Sequence, residues 1–287
     1  MVALTEADER IAQHMFRALG VAPRVWERKI GGSVLLLDKP APDAAGVVTV
    51  LTCGASRLAP PAGQLPTEFA IEVLDGQQYA AQVVLQNLCD DLATGSLSRA
   101  RATPWRNSVP LLESTSIYAL AATASRYGDS FDTVRDESGQ PIGQVLTIRL
   151  LTYPESWVVS SRGFDQLVTE AGGLANLIDV TRDTSVYPTL ADIADRPVLV
   201  TDLHEQYPPI WVTCDRVDDD IDLFHSTTGA ESPEYLADAG NYQAWTCGLY
   251  LERFPWATSY LTHAVPGTVA HFTDDTGAFE LESSTRE

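Results

Sequence analysis

The sequence predicts an α+β protein in which mixed sheets are flanked by helices, with an additional acidic region at its C-terminal end. Three observations carry that reading. Runs rich in β-branched and aromatic residues (Val34 to Leu37, Val47 to Thr52, Thr67 to Val73, Ile142 to Leu151) are interspersed with amphipathic helical stretches. Hydrophobic residues make up 45% of the 287, enough for a core that needs neither metal nor disulfide. The acidic residues gather past residue 200.

Taken in order, Ile11, Met15, Ala18 and Leu19 recur at helical spacing behind Thr5, a plausible N-cap, and Gly20 closes that helix. Val34 to Leu37 suits a buried strand, with Val47 to Thr52 as its neighbour. The most informative stretch follows. A β-rich run stops at Gly54-Ala55-Ser56, passes through the proline-broken Leu58 to Pro66, and resumes at Thr67 to Val73, so two strands are joined by an irregular loop. Ala80, Val83, Val84, Leu88 and Leu92 make an amphipathic helix ending near Gly95. Leu111 to Tyr127 reads as a further helix terminated by Gly128, and Ser138-Gly139 is a turn before the strand Ile142 to Leu151. Phe164 to Leu177 reads as a helix with a weak point at Gly172-Gly173. Pro188 to Pro197 is the best boundary, which divides the chain into a domain over 1–190 and an acidic α+β region over 197–287. In the latter, Val198 to Val200, Ile210 to Val212 and Phe279 to Leu281 read as strands, Asp218-Asp219-Asp220 as an acidic turn and Glu234 to Ala239 as a short helix.

Charge narrows the function classes. The chain has 39 acidic and 19 basic residues, a net charge of −20, and only Lys29 and Lys39 are lysines. Residues 201–287 hold 16 acids and 3 bases. Such a field repels nucleic acid and anionic membranes and speeds encounter with a basic protein; it also serves plain solubility. The N-terminal stretch reads as an amphipathic helix and not as a leader, no apolar run is long enough to span a bilayer, and the four scattered cysteines suit a reducing, cytoplasmic setting.

Candidate chemistry is sparse. Cys53, at a strand-to-turn junction, is the one thiol in a suggestive position, but it reads first as a small buried hydrophobe. The five histidines (His14, His204, His225, His263, His271) show no metal-ligand spacing, and no glycine-rich phosphate cradle or Gly-x-Ser-x-Gly elbow occurs, so no cofactor is expected. Asp215, Asp218, Asp219, Asp220 and Asp222 form the one carboxylate cluster; Asp218 and Asp220 alternate as in a calcium loop, but Phe224 and His225 stand where further ligands should be. Thr-Cys-Gly occurs at 52–54 and again at 246–248, too little for a duplication. Arg99, Arg101 and Arg106 beside Trp105 suit either an anion site or a tryptophan-anchored loop. Tyr207-Pro208-Pro209-Ile210-Trp211 and Phe254-Pro255-Trp256 offer rigid aromatic anchors for an interface, or core material near strand ends.

In this order the pieces resemble the suppressor-of-fused domain family over residues 8–203. The similarity is carried by the helix Ile11 to Leu19, the turn Thr52 to Ser56 and the strand Glu68 to Ile71. It continues through the strand Gly143 to Ile148, then Glu155, and a helix from Gly163-Phe164-Asp165 to Leu177-Ile178-Asp179-Val180-Thr181-Arg182. The helical stretch 77–108 and the acidic residues past Val200 lie outside the pattern. The resemblance implies an α+β fold that binds proteins; animal members restrain a transcription factor, and bacterial ones occur among immunity proteins that neutralise toxins.

The expectation is therefore a non-enzymatic protein-binding module, of the immunity type, that neutralises a basic effector. Its contact residues are expected to be Asp218, Asp219, Asp220, Asp222, Trp211 and Trp256. The alternative is a hydrolase or transferase using Cys53 or a C-terminal histidine.

Overall fold

The computed structural model describes residues 6–19, 24–30, 34–40, 45–58, 65–94, 104–217, 221–274 and 276–283. The Thr5 cap, the Gly20 and Gly95 stops, Arg99, Arg101 and the Asp218 to Asp220 turn lie outside the described residues. The architecture is mixed α+β, and the chain forms two compact units. The first comprises residues 1–105, 111–151 and 172–183; the second comprises 106–110, 152–171 and 184–287.

The first unit is built on an eight-stranded sheet of order β1-β2-β3-β4-β8-β6-β5, with β7 pairing on β8. Its strands are β1 (Arg24–Ile30), β2 (Val34–Pro40), β3 (Val47–Cys53), β4 (Thr67–Leu74), β5 (Trp105–Arg106), β6 (Ile117–Thr123), β7 (Thr133–Arg135) and β8 (Pro141–Thr152). The expected strand–loop–strand pair is present: β3 and β4 pair antiparallel, Val50 opposite Ile71, and β4 then pairs parallel with β8. β3 is buried along its whole length because the sheet is covered on both faces. Val50, Phe69, Ile71 and Val73 meet α2 (Gln78–Thr94) on one side; Leu51, Cys53 and Ala70 meet α1 (Glu6–Leu19) and α3 (Asp129–Asp132) on the other.

The turn that ends β3 explains Gly54-Ala55-Ser56. Gly54 sits at φ 106°, a left-handed conformation that glycine adopts without strain. The turn aims the amides of Gly54, Ala55 and Ser56 at the Glu68 carboxylate, at 2.9, 3.1 and 3.2 Å. Thr52 Oγ1 donates to the same carboxylate at 2.6 Å and accepts from the Phe69 amide at 2.8 Å. Glu68 is buried, and these donors replace the water it gives up.

The helix expected over Leu111 to Tyr127 is absent. Its alanine-rich half is β6, which lies between β8 and β5 and is buried at Ile117, Ala119, Leu120 and Ala121. Residues ahead of it turn back on themselves, with the Leu111 amide on the Ile117 carbonyl at 2.7 Å and Ser114 at φ 60°. Sheet pairing has overridden helix propensity.

The second unit holds a six-stranded sheet of order β12-β9-β11-β10-β13-β14. These are β9 (Pro197–Thr201), β10 (Trp211–Val217), β11 (Ile221–Thr227), β12 (Tyr242–Thr246), β13 (Thr268–Phe272) and β14 (Phe279–Ser283). Helices α4 (Tyr153–Arg162), α5 (Phe164–Glu170), α6 (Leu190–Ile193), α7 (Pro233–Leu236), α8 (Cys247–Arg253) and α9 (Thr258–His263) complete it. The Phe164 helix ends at Glu170, ahead of the predicted Gly172-Gly173 weak point, and a separate 3-10 turn covers Leu174–Leu177. α4 begins with a capping box: Glu155 accepts from the Thr152 amide while Thr152 Oγ1 accepts from the Glu155 amide. One face of the sheet, from Val198, Val212, Phe224 and Ala270, packs on Ile193, Tyr250, Leu251 and Tyr260. Within this core the buried Arg196 guanidinium lies 4.3 Å from the ring centres of both Trp157 and Phe224, so aromatic faces stand in for a carboxylate partner.

Glu68→Gln keeps the side-chain length but places an amide N–H₂ among converging donors. It is expected to cost about 3 kcal/mol in urea denaturation, with Glu68→Asp intermediate. Arg196→Lys, which loses the flat stacking surface, is expected to cost about 1–2 kcal/mol in the same measurement.

Candidate functional site

Strand alternation gives the second sheet two chemically distinct faces. Opposite the core face, register aligns two rows across the strands. One runs Thr227, Trp211, His271, Glu280 through β11, β10, β13 and β14. The other runs Ala244, Leu199, His225, Thr213, Val269, Glu282 from β12 to β14. Most of these residues are half-buried, and Ala244, Glu280 and Glu282 are exposed. Trp211 stacks on His271 with ring centres 4.0 Å apart and planes 12° from parallel. Tyr242 approaches His225 at 6.4 Å. Asp215, opposite Leu223, adds a half-buried carboxylate to the same side. The face thus combines a stacked aromatic pair with carboxylates along β10 and β14, in a unit that carries 21 acidic and 6 basic residues.

The predicted contact residues are not all brought together. Trp211 lies on this outer face. Trp256 lies on the other, packed against Phe272 at 4.7 Å and Phe254 at 6.1 Å as part of the core. Its backbone is so close to Gly277 that a Cβ there would stand 2.6 Å from the Trp256 carbonyl oxygen, a structural role for the segment. Asp222 is placed in β11 opposite Arg216, its side chain outside the described residues, and Asp218 to Asp220 are likewise outside. Of the arginine group, Arg106 clamps α4: it donates to Ser156 Oγ at 2.7 Å and the Ser156 carbonyl at 3.0 Å and stacks on Trp157 at 3.8 Å. Trp105 packs against the core of the first unit.

Sequence reasoning missed one constellation, because its members are separated by up to 49 positions and follow no spacing rule. His204 Nε2 lies 2.8 Å from Ser226 Oγ, which lies 2.8 Å from the Tyr250 hydroxyl. His204 Nδ1 faces the Thr201 carbonyl at 3.1 Å, and Thr201 Oγ1 donates to Glu231. With Nδ1–H donating to that carbonyl, Nε2 accepts from Ser226, whose oxygen accepts from Tyr250. A serine beside a histidine is the beginning of a nucleophilic site, but Ser226 and Tyr250 are 0% exposed and His204 is 1% exposed. The hydroxyl is sealed from solvent within the unit, and each member of the chain has a partner there. Burial lowers the His204 pKa, only partly offset by its backbone partner and by Glu231. Burial raises the Tyr250 pKa, against the opposing Ser226 hydrogen bond.

Cys53 is buried within β3, and Cys89, Cys214 and Cys247 are buried as well. Burial pushes the Cys89 and Cys247 thiols up to about 12, so neither is thiolate near neutrality. Among the described residues no group of acidic, histidine or cysteine side chains has the geometry to hold a metal ion, and no helix is long and apolar enough to cross a membrane.

No family model matches the chain, and no curated protein matches it. Among solved structures it is similar to a SUFU (suppressor of fused protein) homologue from Neisseria gonorrhoeae, with TM-score 0.46 and 11% identity over 64% of this chain and 99% of that one. It is also similar to a chain of the Sufu–Fu complex, with TM-score 0.46 and 12% identity over 62% of this chain and 92% of that one.

Two outcomes test the sealed reading. A fluorophosphonate probe is expected to leave Ser226 unlabelled in the folded protein, and iodoacetamide at neutral pH is expected to leave Cys89 and Cys247 unmodified until denaturant is added. Because folding depresses the His204 pKa, neutral His204 contributes stability that is fully present above the unfolded value of 6.5 and is lost as pH falls from there toward the folded value. Thermal unfolding followed from pH 7.5 to 5 is expected to show that decline, flattened in His204→Gln.

Proposed function

We propose that this protein is a non-enzymatic protein-binding module whose contact surface is the outer face of the second sheet. The observation that carries the reading is the Trp211–His271 stack at one end of the β10–β13 pair, on a face that also carries Asp215, Glu280 and Glu282. A rigid, half-buried aromatic pair supplies the apolar anchor on which interface energy concentrates. Surrounding carboxylates steer a basic partner toward it and disfavour acidic competitors. Asp218, Asp219, Asp220 and Asp222 add to the negative charge of the same unit.

The finer reading is an immunity protein that neutralises a basic toxin or effector inside the cell, which fits a charge surplus concentrated in one unit. Trp256 belongs to the core in this account and takes no direct part in contact. The buried His204–Ser226 pair favours a hydrolase only if it becomes accessible, and the probe experiment above decides that.

The test is capture of basic proteins from cells of the source organism on the immobilised chain, with the salt dependence of the captured complex then measured. Affinity is expected to fall roughly tenfold between about 50 and about 500 mM salt. Trp211→Ala is expected to weaken binding by about 2 kcal/mol, roughly thirtyfold, at unchanged thermal stability. Salt-independent binding would remove charge steering from the account, and an unaffected Trp211→Ala variant would remove the proposed face.

A further inference from the structure

β14 is a terminal strand of the second sheet: it pairs with β13 on one side, and no described strand pairs with it on the other. An edge of this kind presents a row of backbone donors and acceptors that another chain can complete. Its side chains alternate in a specific way. Glu280 and Glu282 are exposed and share the outer face with His271 and Val269. Leu281, between them, is opposite Ala270 and so lies on the core side, yet it is 64% exposed, the most exposed large hydrophobic residue described. The strand thus offers acid, apolar, acid in sequence, each on the face where a matching residue of an added strand would stand beside it.

The other edge is different. On β12, Gln243 Nε2 is tied to Asp202, the Trp245 indole donates to Gln243, and Thr246 caps α8. Those side chains are already engaged within the unit.

We propose that β14 accepts an added strand from the partner, an extended basic segment in which arginine or lysine alternates with apolar residues. The inference deepens the protein-binding reading and rests on it. A second copy of this chain does not fit, because self-pairing along β14 sets Glu280 and Glu282 against their own kind, and like charges on adjacent strands are destabilising. A nucleic acid strand is repelled by the same carboxylates. In a basic segment, cationic side chains face Glu280 and Glu282, an apolar one covers Leu281, and the main chain supplies the hydrogen bonds.

The test uses the full chain and a labelled nine-residue peptide of alternating arginine and valine, followed by fluorescence anisotropy at low salt. The control is the same peptide with its backbone amides N-methylated, which keeps the charge and removes the donors. Strand addition predicts that methylation, and separately the Glu280→Arg/Glu282→Arg double substitution, each weaken binding roughly tenfold or more. It also predicts that the unmethylated peptide slows hydrogen exchange at β14 amides. Equal binding of the two peptides, or binding of neither, overturns the inference. Salt-dependent capture of a basic protein that is sensitive to Trp211→Ala but indifferent to the β14 substitutions sinks strand addition alone and leaves the protein-binding reading standing.

Discussion

The interaction that organises the first unit is a carboxylate buried where a strand ends. Glu68 gathers the Thr52 hydroxyl and the amides of Gly54, Ala55 and Ser56, and so determines where β3 stops and how the returning β4 is registered against it. An ionised carboxylate out of water is tolerated only with such a set of donors. The device recurs. Glu155 accepts from the Thr152 and Ser185 amides at the start of α4. Asp132 holds the Ser125 amide, and Glu231 holds the Thr228 amide together with the Thr201 hydroxyl. Part of the acidic surplus is therefore architectural: these carboxylates answer backbone donors that turns and helix starts would otherwise leave without partners.

Cations obey the complementary rule, and it bears on why 17 of the 19 bases are arginine. Arg149 and Arg126 converge on the two oxygens of the buried Glu72, at 2.7 and 2.6 Å. Arg106 forks onto α4 while lying flat on Trp157, and Arg196 sits between aromatic rings in the second core. Each role needs a planar, weakly hydrated cation with directed donors, which an ammonium group does not provide. Buried charge of both signs is thus spent on geometry. The net negative charge is concentrated in the second unit, where 21 acids face 6 bases and set a negative field.

That field acts on a sheet whose two faces have been separated by strand alternation. The core face takes up Tyr250, Tyr260, Phe272 and Trp256, and with them a His204–Ser226–Tyr250 relay closed to solvent. The outer face keeps the stacked Trp211 and His271, the histidine His225, and carboxylates toward β14. Register alone sends the aromatic cluster to one side and the Trp211–His271 stack to the other.

Much of the architecture was legible in the residues themselves. Runs of β-branched and apolar residues located β2, β3, β4, β8, β9, β10 and β14, and period-3.6 patterns located the helices α1 and α2, because burial on one face or both leaves its mark on local order. Local order misread β6, since alanine-rich residues between two strands carry the same signature as a helix, and only pairing with β8 decides between them. The outer-face site was half visible. Trp211 stood out as a rigid aromatic beside prolines, but its stacking on His271 joins residues 60 positions apart, and that depends on the β10–β13 register. Trp256 looked equivalent in the sequence and went to the opposite face. Composition and short-range pattern determined by themselves that the chain is α+β and asymmetrically acidic. Tertiary structure decided which face each aromatic and acid occupies, because a strand's side chains are assigned to core or surface only when a neighbouring strand sets its register.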